Sequence, residues 1–150
     1  AREHGFRTAV DLDTATTPRG RVNNGTPRPI TVHQQLLDEH PRVVEEFLIR
    51  SLEAADWAAT DLDGVRSLLA RETFAEGAGV VDAYGDDLHL GLAPTLDEER
   101  LDLLGVQEQF LYTHGFLASR VDIATWVDPV PLASAVATLE KRADREGVRA

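Results

Sequence analysis

The sequence predicts a helix-rich α/β fold, on three observations. After residue 33, apolar residues recur three and four positions apart over most of the chain, which is the spacing of amphipathic helices. Before that point, Phe6–Leu12 alternates apolar and polar residues and Pro29–Val32 is short and β-branched, so both are candidate strands. The residues between them are dense in turn formers, which neither a helix nor a long strand would accommodate.

Composition excludes several classes of function. The 150 residues fit one domain, or a piece of one. Fifteen basic residues against 26 acidic ones give a net charge of −11, and the basic residues form no stripe, so a nucleic acid would be repelled. No run approaches the roughly 18 apolar residues that a membrane span needs. The chain has no cysteine, which excludes disulfides, thiolate catalysis and cysteine-bound metals from these residues.

Two helices are predicted around the first proline that interrupts the helical pattern. The first, in "VHQQLLDEHP", should end by His40, because the residue before a proline avoids the α conformation. Pro41 suits the first turn of the second helix, "PRVVEEFLIRSLEAADWAAT". The buried face of this helix is predicted to consist of Val44, Phe47, Leu48, Ser51, Leu52 and Ala55.

Further helices are predicted toward the C-terminus. Thr60 is expected to cap a helix containing "VRSLLA", and a short helix should end near Gly85. Thr95 and Glu98 form a capping box that opens a helix with a glycine stop at Gly115. Its wide apolar side is predicted to comprise Leu101, Leu103, Leu104, Val106, Phe110 and Leu111. The tail "VPLASAVATLEKRADREGVRA" should form a last helix.

Titratable clusters indicate neither a metal nor a cofactor. On a helix, His33 and His40 would be separated by about 10 Å of rise, too far for one ion to bind both. The remaining histidines have no second histidine three or four positions away, so all five are expected at the surface or at helix caps. The adjacent acids at 45–46, 86–87 and 97–99 are predicted to be solvated charges, and both tryptophans to pack in the interior.

The order of several segments resembles one family. The pattern HPxxVxxFLxxxLxAADWA within "LLDEHPRVVEEFLIRSLEAADWAA" is its most specific element, and "RVNNGTPRPITV", "AYGDDLHLGLAPTLDEERLDLLGVQEQFLYTHGFL" and "WVDPVPL" accompany it. Together, over about residues 5–135, they resemble the C-terminal part of ABC-transporter substrate-binding proteins of the nitrate, sulfonate and taurine group. Within that superfamily the likeness is closest to the hydroxybiphenyl sulfinate desulfinases.

The resemblance implies a partial type 2 periplasmic-binding-protein fold, in which two α/β lobes enclose a ligand. Residues 1–29 would be the end of the second lobe and the return crossing, and residues 30–150 the helical C-terminal part of the first lobe. The N-terminal lobe and most of the cleft would lie upstream. The crossing would place ligand-binding groups in the cleft: amides and a hydroxyl from Asn23, Asn24 and Thr26, and charge from Arg21 or Arg28. Alternatively, Asn23, Asn24 and Gly25 only form a turn.

Three functions follow from this interpretation. The first is part of the solute-binding component of an ABC importer for a small anionic or sulfonate-like ligand, acting outside the cytoplasm with an ABC permease as its partner. The second is a piece of a desulfinase-like cytoplasmic enzyme, whose chemistry in the family depends on a cysteine, a histidine and an arginine in the N-terminal portion. The third is a stand-alone helical interaction domain. Because helices meant to cover a sheet would expose apolar faces without it, the isolated chain is also expected to self-associate.

Overall fold

The computed structural model describes residues 5, 7, 17–22, 26–74, 79–80, 84–85 and 87–147, and most of these residues are helical. The α-helices whose bounds fall within the described residues are α1 (Gln34–Glu39), α2 (Pro41–Thr60), α3 (Leu62–Thr73), α4 (Glu98–Thr113), α5 (Ile123–Trp126) and α6 (Val130–Gly147). Short 3-10 turns occur at Pro18–Arg21 and Leu88–Leu90. The prediction of a helix-rich chain is therefore confirmed. Within the described part of the chain, no helix is long and apolar enough to cross a membrane.

The strand prediction for Pro29–Val32 is wrong. These four residues have no regular secondary structure, and Ile30 and Val32 are 58% and 42% exposed. A strand is stabilised by hydrogen bonds to a neighbouring strand, and no strand forms among the residues that the structure describes. The other candidate strand, Phe6–Leu12, falls outside the described residues except for Arg7.

The boundary between α1 and α2 is the one that Pro41 predicts. The His40 amide donates to the Leu36 carbonyl at 2.9 Å and closes α1. Pro41 occupies the first turn of α2, where its missing N–H costs no hydrogen bond. His40 lies at the N-cap position without a side-chain hydrogen bond to the helix, so the proline sets this helix start.

One compact unit consists of Gln34–Pro94 and Val130–Ala150, and the pairing of α2 with α6 forms its core. Leu48 and Ile49 pack there with Ala135, and partly buried leucine and valine side chains from both helices surround them. The predicted buried face of α2 is only partly correct: Phe47 is 55% exposed, whereas Ile49, outside the prediction, is 2% exposed. The reason is that α6 covers the side of α2 defined by positions 45, 48, 49 and 52.

The start of α3 also differs from the prediction. Asp61, not Thr60, is its N-cap, and the Asp61 carboxylate accepts a hydrogen bond from the Gly64 amide at 2.9 Å. The Thr60 hydroxyl donates instead to the Trp57 carbonyl, near the end of α2. The cap depends on a glycine at position 64, because a Cβ there would lie 2.9 Å from the Trp57 ring and closer still to the Asp61 carboxylate. Beyond α3, Phe74 has a left-handed φ of 54° and is 96% exposed.

The other compact unit consists of Ala1–His33 and Thr95–Pro129, and α4 is its longest helix. Its N-cap is Asp97, whose carboxylate accepts from the Arg100 amide at 2.8 Å, so the cap lies two residues after Thr95 and the predicted capping box of Thr95 and Glu98 is wrong. Thr95 supports that cap, since its hydroxyl accepts from the Asp97 amide. Gly115, with a φ of +76°, follows the C-cap and confirms the predicted glycine stop. Both α5 and the Pro18–Arg21 turn contact α4.

Candidate functional site

A 3-10 turn that ends at Arg21, the first residue of the predicted crossing, contacts α4. The Thr17 hydroxyl accepts a hydrogen bond from the Gly20 amide at 3.3 Å and caps the turn Pro18–Arg21. Val22 then continues in an extended conformation and is half-buried. The backbone of Arg21, one of the candidate ligand-binding residues, is therefore held in the same unit as α4.

The remaining candidates follow this turn. Thr26 and Arg28 are exposed, the Thr26–Pro27 peptide bond is cis, and Arg28 already interacts with another group of the protein. Asn23 and Asn24 lie outside the described residues. The convergence of these residues on one ligand thus stays a prediction.

The most buried side chains of α4 are polar. Gln107 and Glu108 are each 5% exposed, whereas Leu101, Leu104 and Leu111, predicted to form the buried side, are only half-buried. A buried carboxylate requires hydrogen bonds or an opposite charge, because leaving water costs the ionised form heavily. The burial of Glu108 therefore requires a partner for its carboxylate.

Arg120 supplies the opposite charge. Its Nε donates to both carboxylate oxygens of Glu108, at 2.8 and 2.9 Å, and its Nη2 lies 2.8 Å from Oε2. The Val121 amide donates to Oε1 at 2.8 Å. Glu108 consequently receives a forked, charge-assisted interaction and a backbone hydrogen bond from two consecutive residues.

This contact fixes the chain between α4 and α5. Asp122, the next residue, is the N-cap of α5 and accepts from the Ala124 amide at 3.1 Å. The Arg120 guanidinium also lies 5.6 Å from the centre of the Tyr112 ring, within the range of a cation–π interaction. Glu108 therefore orders the residues from Arg120 to the start of α5, and Arg120 remains 55% exposed.

The interaction of Glu108 with Arg120 stabilises the ionised carboxylate and the protonated guanidinium. The hydrogen bonds from Arg120, and next the one from the Val121 amide, hold the pKa of Glu108 below its usual range. The hydrogen bond with Glu108 raises the pKa of Arg120 further above neutrality. A carboxylate this well stabilised is a poor general base, so the arrangement serves to position the chain.

Sequence reasoning missed Glu108, although a signal was present. Glu108 lies in line with Leu101, Leu104 and Leu111 at helical spacing, and an acid within an apolar stripe requires a partner. The partner could not be identified in this way, because Arg120 belongs to a connection whose path the periodicity does not describe.

Three other titratable groups, Glu45, Glu46 and His114, contact neighbouring parts of the fold. The prediction that the acids at 45–46 are solvated is wrong for Glu45, which is half-buried and accepts from the Thr138 hydroxyl at 2.8 Å. The Glu46 side chain is 47% exposed, in agreement with the prediction, and lies 2.8 Å from Arg50 and 3.7 Å from Arg142. His114 makes a 2.8 Å hydrogen bond with the Phe110 carbonyl.

No group of three or more His, Asp or Glu side chains that could hold a metal ion occurs in the described ranges.

The tryptophans are less buried than predicted. Trp57 and Trp126 are 44% and 49% exposed, so neither is an interior side chain. Trp57 borders Gly64 at the α2–α3 turn, where a larger residue would collide with its ring.

The chain is similar to curated 2'-hydroxybiphenyl-2-sulfinate desulfinases. It is 31% identical over 99 residues to such proteins from Rhodococcus erythropolis and Rhodococcus qingshengii, which is 66% of this chain and 27% of each relative. The chain thus spans about a quarter of the length of the curated relatives it matches. No family model matches the sequence, and no solved structure matches it.

Proposed function

We propose that this chain is a helical portion of a protein related to 2'-hydroxybiphenyl-2-sulfinate desulfinase, built on a type 2 periplasmic-binding-protein fold. The observation that carries the proposal is the 31% identity over 99 residues. The helix-rich structure is compatible with the closing part of a lobe, in which helices cover a sheet supplied by other residues. The division into the end of one lobe (1–29) and the helical part of the other (30–150) belongs to the same proposal.

In this function the helices of the chain support the crossing, and the crossing forms one wall of an anion-binding cleft. The crossing would contribute Arg21, Asn23, Asn24, Thr26 and Arg28, whose amide, hydroxyl and guanidinium groups suit the oxygens of a sulfinate or sulfonate. The net charge of −11 makes such cations necessary, because the rest of the chain repels an anion. The Pro18–Arg21 turn packs against α4, and Glu108 and Arg120 fix the connection that follows this helix. Through these contacts, α4 and the turn would hold the start of the crossing in place.

The chain does not itself carry the nucleophile that the family resemblance implies, since it has no cysteine. Several of its hydroxyls hydrogen-bond helix carbonyls: Ser51 to Phe47, Thr73 to Leu69 and Thr125 to Asp122. An alcohol committed in this way lacks the positioned base that activates a nucleophile. Any desulfination would therefore require residues of the same protein beyond these 150, and such an enzyme would be cytoplasmic.

A chimera tests the proposal. The 99-residue segment of the Rhodococcus erythropolis desulfinase that matches this chain is replaced by the corresponding segment of this chain, and sulfite release from 2'-hydroxybiphenyl-2-sulfinate is measured. We expect measurable release, because homologous segments adopt the same fold. The matched control carries Val65→Asp in addition, which places a charge at a side chain that is 4% exposed and should abolish release through misfolding. A soluble, folded chimera without any release would contradict the proposal.

The second candidate is the solute-binding component of an ABC importer for a small anionic ligand, with an ABC permease as partner and a location outside the cytoplasm. It is favoured by the HPxxVxxFLxxxLxAADWA pattern, most of which α2 contains. The genomic sequence preceding the codon for Ala1 separates the two candidates. A lobe with a cysteine encoded there would favour the enzyme, and a lipoprotein signal would favour the importer.

A further inference from the structure

We draw no further inference here: the strongest candidate, the exposed apolar side of α2 around Val43 and Phe47, carries none, because nothing among the residues that the structure describes shows what covers it.

Discussion

Glu108 of α4 and Arg120 of the following connection form a three-contact ion pair, in which the carboxylate is 5% exposed and the guanidinium side chain is half-exposed. The eleven residues between them include the end of α4 and its glycine stop. The pair thus holds the connection after α4 against that helix, and it explains why the Glu108 carboxylate can be buried.

Glu108→Gln should remove an acid-sensitive part of the stability. The pKa of Glu108 in the folded chain lies below its ordinary value of 4.5, mainly because of the hydrogen bonds from Arg120. The unfolded chain therefore takes up this proton at a higher pH than the folded chain does. The stabilisation is complete above about pH 4.5 and is lost as pH falls through the folded-state pKa.

Urea unfolding at about pH 7 and at about pH 3 measures this effect. The wild type should be more stable than Glu108→Gln at neutral pH, and the difference should shrink at acid pH. Asp102→Asn, an exposed acid on the same helix, is the control and should change stability little at either pH. A difference between wild type and Glu108→Gln that stays constant with pH would show that the carboxylate charge does not stabilise this connection.

Asp61→Ala should destabilise α3 by about 0.5–2 kcal/mol, because its carboxylate satisfies the otherwise unpaired Gly64 amide at the helix start. Thr60→Ala is the matched comparison, since Thr60 is the cap that the sequence predicted and its hydroxyl instead donates to the Trp57 carbonyl. Thermal unfolding followed by circular dichroism should rank Asp61→Ala as the larger loss. The reverse order would restore Thr60 as the cap.

Ile49→Ala and Phe47→Ala should differ widely in their effects on stability. Ile49 is 2% exposed between α2 and α6, and its truncation should cost about 2–5 kcal/mol through lost burial and a cavity. Phe47 is on the opposite side and should cost less than about 1 kcal/mol in the monomer. Denaturant unfolding at low protein concentration makes the comparison without a contribution from self-association. Equal losses would place α6 on a different side of α2.

Two helix boundaries in this chain could be predicted because they depend on a proline and a glycine close by. Pro41 sets the junction of α1 and α2, and Gly115 ends α4, whatever the rest of the chain does. The covered side of a helix depends on distant residues. Helical spacing placed Phe47 on the predicted buried face and left Ile49 out, and only the position of α6 decides that Ile49 is buried.

The candidate ligand site was less predictable for the same reason. An asparagine- and arginine-rich crossing can bind an oxyanion only if residues far away in sequence complete the cleft. Likewise, nothing local to Glu108 names Arg120 as its partner. The resemblance to the desulfinases supplied a site hypothesis that local patterns could not. The comparison shows 31% identity to such proteins over 66% of the chain, and the convergence of the crossing residues on a ligand stays a prediction.

The last prediction concerns ligand binding and activity by the isolated chain. In the proposed fold a ligand is bound between two lobes, and pockets derive affinity from enclosing most of the surface of the ligand. In this chain Thr26 and Arg28 are exposed, so a ligand bound to them would keep most of its own surface in water. Calorimetry with nitrate, an alkyl sulfonate and 2'-hydroxybiphenyl-2-sulfinate should therefore show no binding tighter than about millimolar, and sulfite release should equal the buffer blank. Arg28→Ala tests any signal that is found, because a real site on the crossing should lose affinity with that guanidinium. Micromolar binding that Arg28→Ala abolishes would mean that the 150 residues form a complete site, contrary to the proposed function.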